Sequence, residues 1–107
     1  GGSPAEDSST IRKRVLAARE RQNARYAGTA CRCNADLGGF LLERYCALDA
    51  AGHALMEQAV RALGLSARAY TRVLRLARTI ADLEGAEDIS AAHLAEAIQF
   101  RSSGILK

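Results

Sequence analysis

The sequence is poor in aromatic residues and in proline. It contains no tryptophan, two phenylalanines, three tyrosines and a single proline, Pro4, among 107 residues. Because 49% of the residues are nevertheless hydrophobic, a core has to be built from Ala, Leu, Ile and Val, which favours closely packed helices. No segment shows the two-residue alternation of a strand. The composition therefore predicts an all-α fold, a compact bundle of about five helices.

Signals for secretion, membrane insertion and metal binding are also missing. No apolar run approaches the ~20 residues of a membrane span, and no signal-peptide pattern opens the chain. Cys31, Cys33 and Cys46 form an odd set without repeated spacing, which is typical of reduced thiols in the cytoplasm. Together with His53 they lack the paired C-x-x-C spacing of structural zinc sites. We expect a cytoplasmic protein with no membrane contact, no metal, and cysteines that serve as small buried hydrophobes.

No catalytic motif is present either. The chain has no G-x-x-x-x-G-K-[ST] loop, so it cannot cradle a triphosphate by itself. It has no G-x-S-x-G motif, and neither His53 nor His93 lies beside a candidate nucleophile; both are predicted on helix surfaces. The segment alone is therefore not expected to be an enzyme. Since it does not begin with Met, we expect it to derive from a longer protein.

The charge is unevenly distributed, although the net charge is only +3. Residues 11–32 contain seven basic residues and one acid, Glu20, whereas residues 84–96 contain four acids and no Lys or Arg. Such segregation indicates contact with an anion or an acidic partner, or simply a solvated helix surface. The candidate contacts with DNA or a partner are Arg12, Lys13, Arg14, Arg19, Arg21 and Arg25.

Local signals place the helix boundaries. Ser9 or Thr10 is predicted to cap a first helix that runs to about Tyr26, and residues 28–39 form a loop before a short helix at residues 40–46. The apolar stripe of the first helix consists of Ile11, Val15, Ala18 and Tyr26.

Capping residues define the remaining three helices. Asp49, Ser66 and Ser90 are predicted N-caps of the third, fourth and fifth helices, and Gly64 and Gly85 end the third and fourth. Ile89 is expected to insert into the core from the last turn. The predicted organisation is a flexible linker or cloning scar at residues 1–8, a folded domain at residues 9–101, and a frayed tail at residues 102–107.

The fourth helix, residues 67 to about 84, has two distinct faces at 100° per residue. One face is apolar, and the opposite face carries Arg68, Arg72, Arg75, Thr79 and Asp82. Arg68 lies in the first turn, where a cation and the amide donors of a helix N-terminus together make an anion site. Guanidinium suits a phosphate because its fork binds two oxygens in fixed geometry. From periodicity alone, an exposed arginine on a solvated surface is the competing interpretation.

The segment from Ser66 to Gly85, SARAYTRVLRLARTIADLEG, closely resembles the C-terminal domain of Mg-chelatase-like AAA+ ATPases of the competence protein ComM type. Three further segments resemble the same domain over roughly residues 9–101: IRKRVLAARERQ from Ile11, NADL from Asn34 and HLAEAIQFR from His93. The sequence departs from the family at Cys31-Arg32-Cys33, and at Phe100, where tyrosine is expected.

The resemblance implies a function. In this family the helical domain is a lid over ATP and Mg²⁺ held by the preceding AAA+ core of the same chain. An arginine at the start of one lid helix, called sensor 2, reaches the phosphates, and by motif match that residue is Arg68. Arg72 and Arg75 would line the neighbouring cleft. The parent would be an ATPase, either a DNA helicase in natural transformation or a motor for metal insertion, working as a homo-oligomeric ring such as a hexamer.

Two alternatives remain open at this point. The basic first helix could neutralise the phosphates of a nucleic acid without reading its sequence, although Tyr26 is the single aromatic residue within the basic stretch that could stack on a base. The domain could also be an assembly module whose basic helix docks on an acidic neighbour in the ring.

Overall fold

The computed structural model describes residues 7–102, with side chains described through residue 100. The predicted linker (residues 1–8) and tail (residues 102–107) therefore lie mostly outside the described part of the chain. Within it there are five α-helices, one 3₁₀ turn and no strand, which confirms the predicted all-α bundle. The elements are α1 Ser8–Tyr26, the 3₁₀ turn Asn34–Asp36, α2 Gly39–Tyr45, α3 Ala50–Leu63, α4 Ala67–Glu84 and α5 Ala91–Ser102.

Most helix ends follow the predicted local chemistry. The Asp49 carboxylate accepts a hydrogen bond from the Gly52 amide at 2.7 Å, and the Ser66 hydroxyl accepts from the Ala69 amide at 3.1 Å. Gly64 ends α3 in the left-handed conformation, which glycine adopts without a Cβ penalty. The start of α1 was predicted wrongly: Asp7, rather than Ser9 or Thr10, caps it by accepting from the Thr10 amide.

The core lies on the apolar side of α4, against α1, α5 and the 3₁₀ turn. Alanines at 77, 81 and 97 are completely buried, and their small side chains let α4 and α5 approach closely. Ile89 is also buried, as predicted. The largest fully buried side chains are those of Leu37, Met56, Val73, Asp82 and Leu94.

The first half of α1 is less covered than its apolar stripe predicted. Ala18 and Tyr26 are buried, but Ile11 and Val15 are 45% and 46% exposed. Both border an open groove between α1, α4 and α5. The stripe therefore reaches the core only in the second half of the helix. None of the described helices has the length and apolarity needed to cross a membrane.

Gly64 provides a test of the α3–α4 turn that positions Ser66 and Arg68. With φ +63°, this residue lies where a Cβ is strained although no neighbouring atom would meet it. We expect Gly64→Ala to lower the free energy of unfolding by about 1 kcal/mol. Gly64→Asn should lose less, because asparagine tolerates this conformation better. Urea unfolding measures both variants, and an equal loss in the two would contradict a backbone origin.

Candidate functional site

Arg68 lies in the first turn of α4 with its side chain exposed to solvent. The buried Leu65 anchors the preceding turn, and the Ser66 hydroxyl and carbonyl accept the amides of Ala69 and Tyr70. The amides of Ala67 and Arg68 have no partner within the helix, as at any helix N-terminus. Within residues 7–102, no group accepts a hydrogen bond or forms an ion pair with the Arg68 guanidinium. The N-terminus of α4 is therefore capped, electropositive and accessible to solvent.

The other two arginines predicted beside Arg68 lie in different environments. Arg72 is exposed, one turn further along α4. Arg75 is half-buried, and its Nε donates to the Leu37 carbonyl at 2.8 Å. Arg75 thus holds the end of the 3₁₀ turn against α4. Of these three arginines on α4, Arg68 and Arg72 are exposed and Arg75 is not.

The helical-wheel prediction that Asp82 shares an exposed face with Arg68 is wrong. Asp82 is completely buried, because α1 and the 3₁₀ turn cover this end of α4. Both Asp82 carboxylate oxygens accept from Arg25, at 2.7 and 3.0 Å, and Asn34 Nδ2 donates at 2.8 Å. The Arg78 guanidinium approaches Asp82 Oδ1 within the same helix at 3.1 Å. We call Asp82, Arg25, Asn34 and Arg78 the buried polar cluster.

Asn34 connects this cluster to the loop before α2. Its side-chain oxygen accepts from the Tyr26 hydroxyl at 2.6 Å, and its amide nitrogen also donates to Thr79. The Asn34 backbone amide donates to the Gln22 side chain at 2.9 Å. Among the described residues, no buried side-chain polar atom lacks a partner. A fully satisfied network of this kind defines one arrangement of its elements.

Arg78 connects the same cluster to the turn between α4 and α5. It is 3% exposed, and its Nη1 and Nη2 donate to the carbonyls of Glu87 and Ala86, each at 2.9 Å. Nη1 also reaches the Tyr45 carbonyl at the end of α2, at 3.3 Å. The (i, i+4) spacing of Arg78 and Asp82 was visible in the sequence, but nothing there showed that both residues are buried.

The ionisation of the cluster follows from these contacts. Burial acts to raise the pKa of Asp82, but hydrogen bonds from Arg25 and Asn34 and the charge of Arg78 outweigh it, so the pKa lies below its ordinary value. The Asp82 hydrogen bond raises the pKa of Arg25. Burial raises the pKa of Tyr26 to about 12. At neutral pH the cluster is therefore a carboxylate held between two guanidinium groups.

The candidate contact residues on α1 divide into two groups. Arg12, Lys13, Arg14 and Arg19 are exposed. Arg25 is instead paired with Asp82, with 13% of its side chain exposed. Arg21 is also an exposed residue, although it donates to the Asp82 carbonyl at 3.1 Å. At its C-terminal end α1 thus bonds Arg21 and Arg25 to α4, because the two helices meet there at Asp82.

Arginines also line a cleft of about 670 Å³ between α1, α2 and the α4–α5 turn. The guanidinium groups of Arg25 and Arg78 at this cleft are already paired with Asp82. Arg44 stacks on the Tyr45 ring at 5.3 Å. Glu87 and Asp88 border the same space and offset the positive charge. The cleft is therefore mainly a part of the domain's own packing.

One histidine and two of the three cysteines are buried within the domain, whereas Cys33, expected to be buried, is partly exposed. His93, predicted on the surface, is 4% exposed: its Nδ1 accepts from the Ser90 amide, and its Nε2 lies 3.3 Å from Glu84. His53 is exposed. Cys31 and Cys46 are buried, as predicted, and burial raises the pKa of Cys46 to about 11. The part of the chain that the structure describes has no cluster of three or more metal-ligating side chains.

This helical domain belongs to the family described as magnesium chelatase, subunit ChlI C-terminal, whose model matches residues 5–101. The resemblance predicted from the segment around Arg68 is thereby confirmed.

Individual relatives agree with this membership. The chain is 44% identical over 100 residues to YifB of Salmonella typhimurium and 43% identical over 101 residues to competence protein ComM of Haemophilus influenzae. Each alignment covers 94% of this chain and 19% of the relative. Rv2897c of Mycobacterium tuberculosis is 34% identical over 99 residues, which are 92% of this chain and 20% of that protein. The chain therefore spans about a fifth of the length of these relatives. No solved structure matches it.

The buried polar cluster predicts a specific acid sensitivity. We expect Asp82→Asn to lower the free energy of unfolding by about 3–5 kcal/mol at pH 7, because two buried guanidinium groups lose their counter-charge. Since the folded-state pKa of Asp82 is depressed, its stabilising contribution is present above the unfolded pKa and is lost as pH falls through the folded value. The difference between wild type and variant should therefore shrink below about pH 4.

Urea unfolding followed by circular dichroism at several pH values measures this difference. Asp88→Asn is the matched control, because Asp88 is an exposed carboxylate of the same type on the α4–α5 turn. A comparable loss in the control at pH 7 would show that Asp82 has no special role. A difference that persists unchanged in acid would show that its charge does not matter.

Proposed function

We propose that this domain is the helical lid of an AAA+ ATPase and that Arg68 is its sensor-2 arginine. In the longer protein, a preceding AAA+ core of the same chain would hold ATP and Mg²⁺. Arg68 would reach the phosphates of that nucleotide when the lid closes. The domain itself would hydrolyse nothing, and its function would be to couple the state of the nucleotide to movement of the lid.

The observation that carries this proposal is the accessibility of Arg68 at a capped helix N-terminus. Other exposed arginines and lysines of the domain could be exposed for solubility alone, but Arg68 differs in its position beside the unpartnered amides of Ala67 and itself. Cation and helix dipole add at this point. Arg25, Arg75 and Arg78, in contrast, are already bonded within the domain.

The residues present fit a phosphate group in chemical type. The planar fork of Arg68 can donate to two phosphate oxygens, and the Ser66 cap fixes the turn from which it projects. When ATP is bound, the chemistry supplied by the nucleotide and Mg²⁺ is phosphoryl transfer. Arg68 would contribute positive charge where negative charge accumulates in that reaction. Arg72, exposed on the same side one turn later, would line the cleft between lid and core.

The parent protein is proposed to act in the cytoplasm as a homo-oligomeric ring, with six subunits as the expected number. One relative is named a competence protein, which supports a function in DNA processing or natural transformation, with DNA helicase activity as the form proposed. The family description names magnesium chelatase, but the 43% identity to competence protein ComM leads us to prefer the DNA-processing assignment.

We expect Arg68→Ala in the ATPase that contains this domain to lower ATP turnover by ~10²-fold or more, the usual effect of removing one charge that stabilises a transition state. Steady-state ATPase assays at saturating ATP and Mg²⁺ measure this. Arg61→Ala is the control, because Arg61 is an exposed arginine on α3 that has no place in the proposed mechanism, and its turnover should be unchanged. Turnover near wild type in Arg68→Ala would remove this residue from the mechanism.

A second candidate function, binding of nucleic acid by α1, is favoured by the exposure of Arg12, Lys13, Arg14 and Arg19. If these four cations neutralise four phosphates of duplex DNA, the logarithm of the binding constant should fall with the logarithm of salt concentration with a slope of about −3 to −4. Fluorescence anisotropy with labelled single- and double-stranded DNA measures the slope. Arg12→Glu with Arg19→Glu should abolish binding. Binding no stronger than background at low salt would eliminate this candidate for the domain.

A further inference from the structure

An open apolar groove lies on the side of the domain where the first half of α1 faces α4 and α5. Its volume is about 430 Å³. Ile11 and Val15 on α1 and Phe100 on α5 are each more than a third exposed beside it. We call it the α1–α4–α5 groove; its apolar lining consists of Ile11, Val15, Leu76, Ile80, Leu83 and Phe100.

Charged residues give the groove a net negative character. Glu84 at the end of α4 and Glu96 on α5 line it, with Arg14 as the basic residue of the lining. The Glu84 side chain is 67% exposed although its Oε1 lies 3.3 Å from His93 Nε2. An apolar side chain with flanking cations would therefore suit this groove better than one with flanking acids.

A different side of α1 presents such a side chain. Leu16 is 55% exposed, more than any other large exposed aliphatic residue in the described part of the chain. Arg12, Lys13 and Arg19 are within one helical turn of it, with Glu20 as the acid nearby. We call Leu16 and these flanking cations the α1 knob. Its charge is positive where that of the groove is negative.

We infer that the α1 knob of one copy of this chain docks into the α1–α4–α5 groove of a second copy. Leu16 would enter the apolar lining, and Arg12 and Arg19 would face Glu84 and Glu96. The inference concerns assembly and does not rest on Arg68 or on nucleotide binding. It assigns to this domain one of the contacts by which the proposed ring is built.

The geometry favours a head-to-tail contact. Leu16 is about 140° around α1 from Ile11 at 100° per residue, so knob and groove face different directions. Each contact would then leave one knob and one groove unoccupied, which allows further copies to add. Heterologous contacts of this type close into rings or extend into filaments.

Two other exposed apolar side chains fit the groove less well. Phe40 is 71% exposed at the start of α2, and Leu63 is 38% exposed at the end of α3. Phe40 has Glu43 and Arg44 within the next turn, so its surroundings have no net charge. These residues provide controls of the same chemical type as Leu16.

Analytical ultracentrifugation of the chain between about 10 μM and about 1 mM tests the inference, since weak contacts of small area dissociate in this range. Wild type should show an average mass that rises with concentration past that of two chains, and less so at high salt. Leu16→Glu and Glu96→Arg should each remain at the mass of one chain. Leu63→Glu and Phe40→Glu should associate like wild type. Circular dichroism confirms that each variant is folded.

Mixing the two deficient variants provides the decisive measurement. The Leu16→Glu chain keeps an intact groove and the Glu96→Arg chain keeps an intact knob, so an equimolar mixture should form a complex of two chains. If the wild type stays at the mass of one chain, the inference is overturned, and the groove does not bind a second copy. Loss of association in Phe40→Glu or Leu63→Glu but not in Leu16→Glu would also overturn it, as would a mixture that stays dissociated.

Discussion

The arrangement of this domain depends on the carboxylate of Asp82, buried between the guanidinium groups of Arg25 and Arg78. Through these partners and Asn34, one side chain joins α1, the 3₁₀ turn and the α4–α5 connection to α4. Moving charges out of water is costly, so such a cluster stabilises a fold only when every partner is in place. Its main consequence is therefore geometric: alternative packings of these elements would leave a buried charge unpaired.

That constraint fixes one end of α4 and leaves the other end available. Asp82 and Arg68 are about 20 Å apart along the helix axis, and between them the apolar face is buried against α1 and α5. At the C-terminal end of α4, arginines form hydrogen bonds and ion pairs within the domain. The N-terminal end begins at a capped turn and is exposed. In the proposed function, Arg68 would project from this capped turn towards a phosphate held by another domain, at little entropic cost.

The first helix shows a similar division along its length. Its second half contributes Ala18 and Tyr26 to the core and Arg21 and Arg25 to Asp82. Its first half borders an unfilled groove and presents cations and Leu16 to solvent. Because the two halves belong to one continuous helix, a partner bound to the first half would be rigidly connected to α4. The proposed assembly contact on α1 and the proposed nucleotide sensor on α4 would then be mechanically connected.

Local chemistry in the sequence determined the helix content and most helix ends. Asp49, Ser66, Gly64 and Gly85 act through neighbours within a few residues, so their effects are readable without knowledge of the fold. The family, and with it the proposed function of Arg68, was also readable from the segment after Ser66. The burial of Asp82, the internal use of Arg25 and Arg75 and the burial of His93 were decided only by the tertiary structure. A helical pattern shows which residues share a face, but what covers that face is set by residues such as Arg25, which lies 57 positions from Asp82.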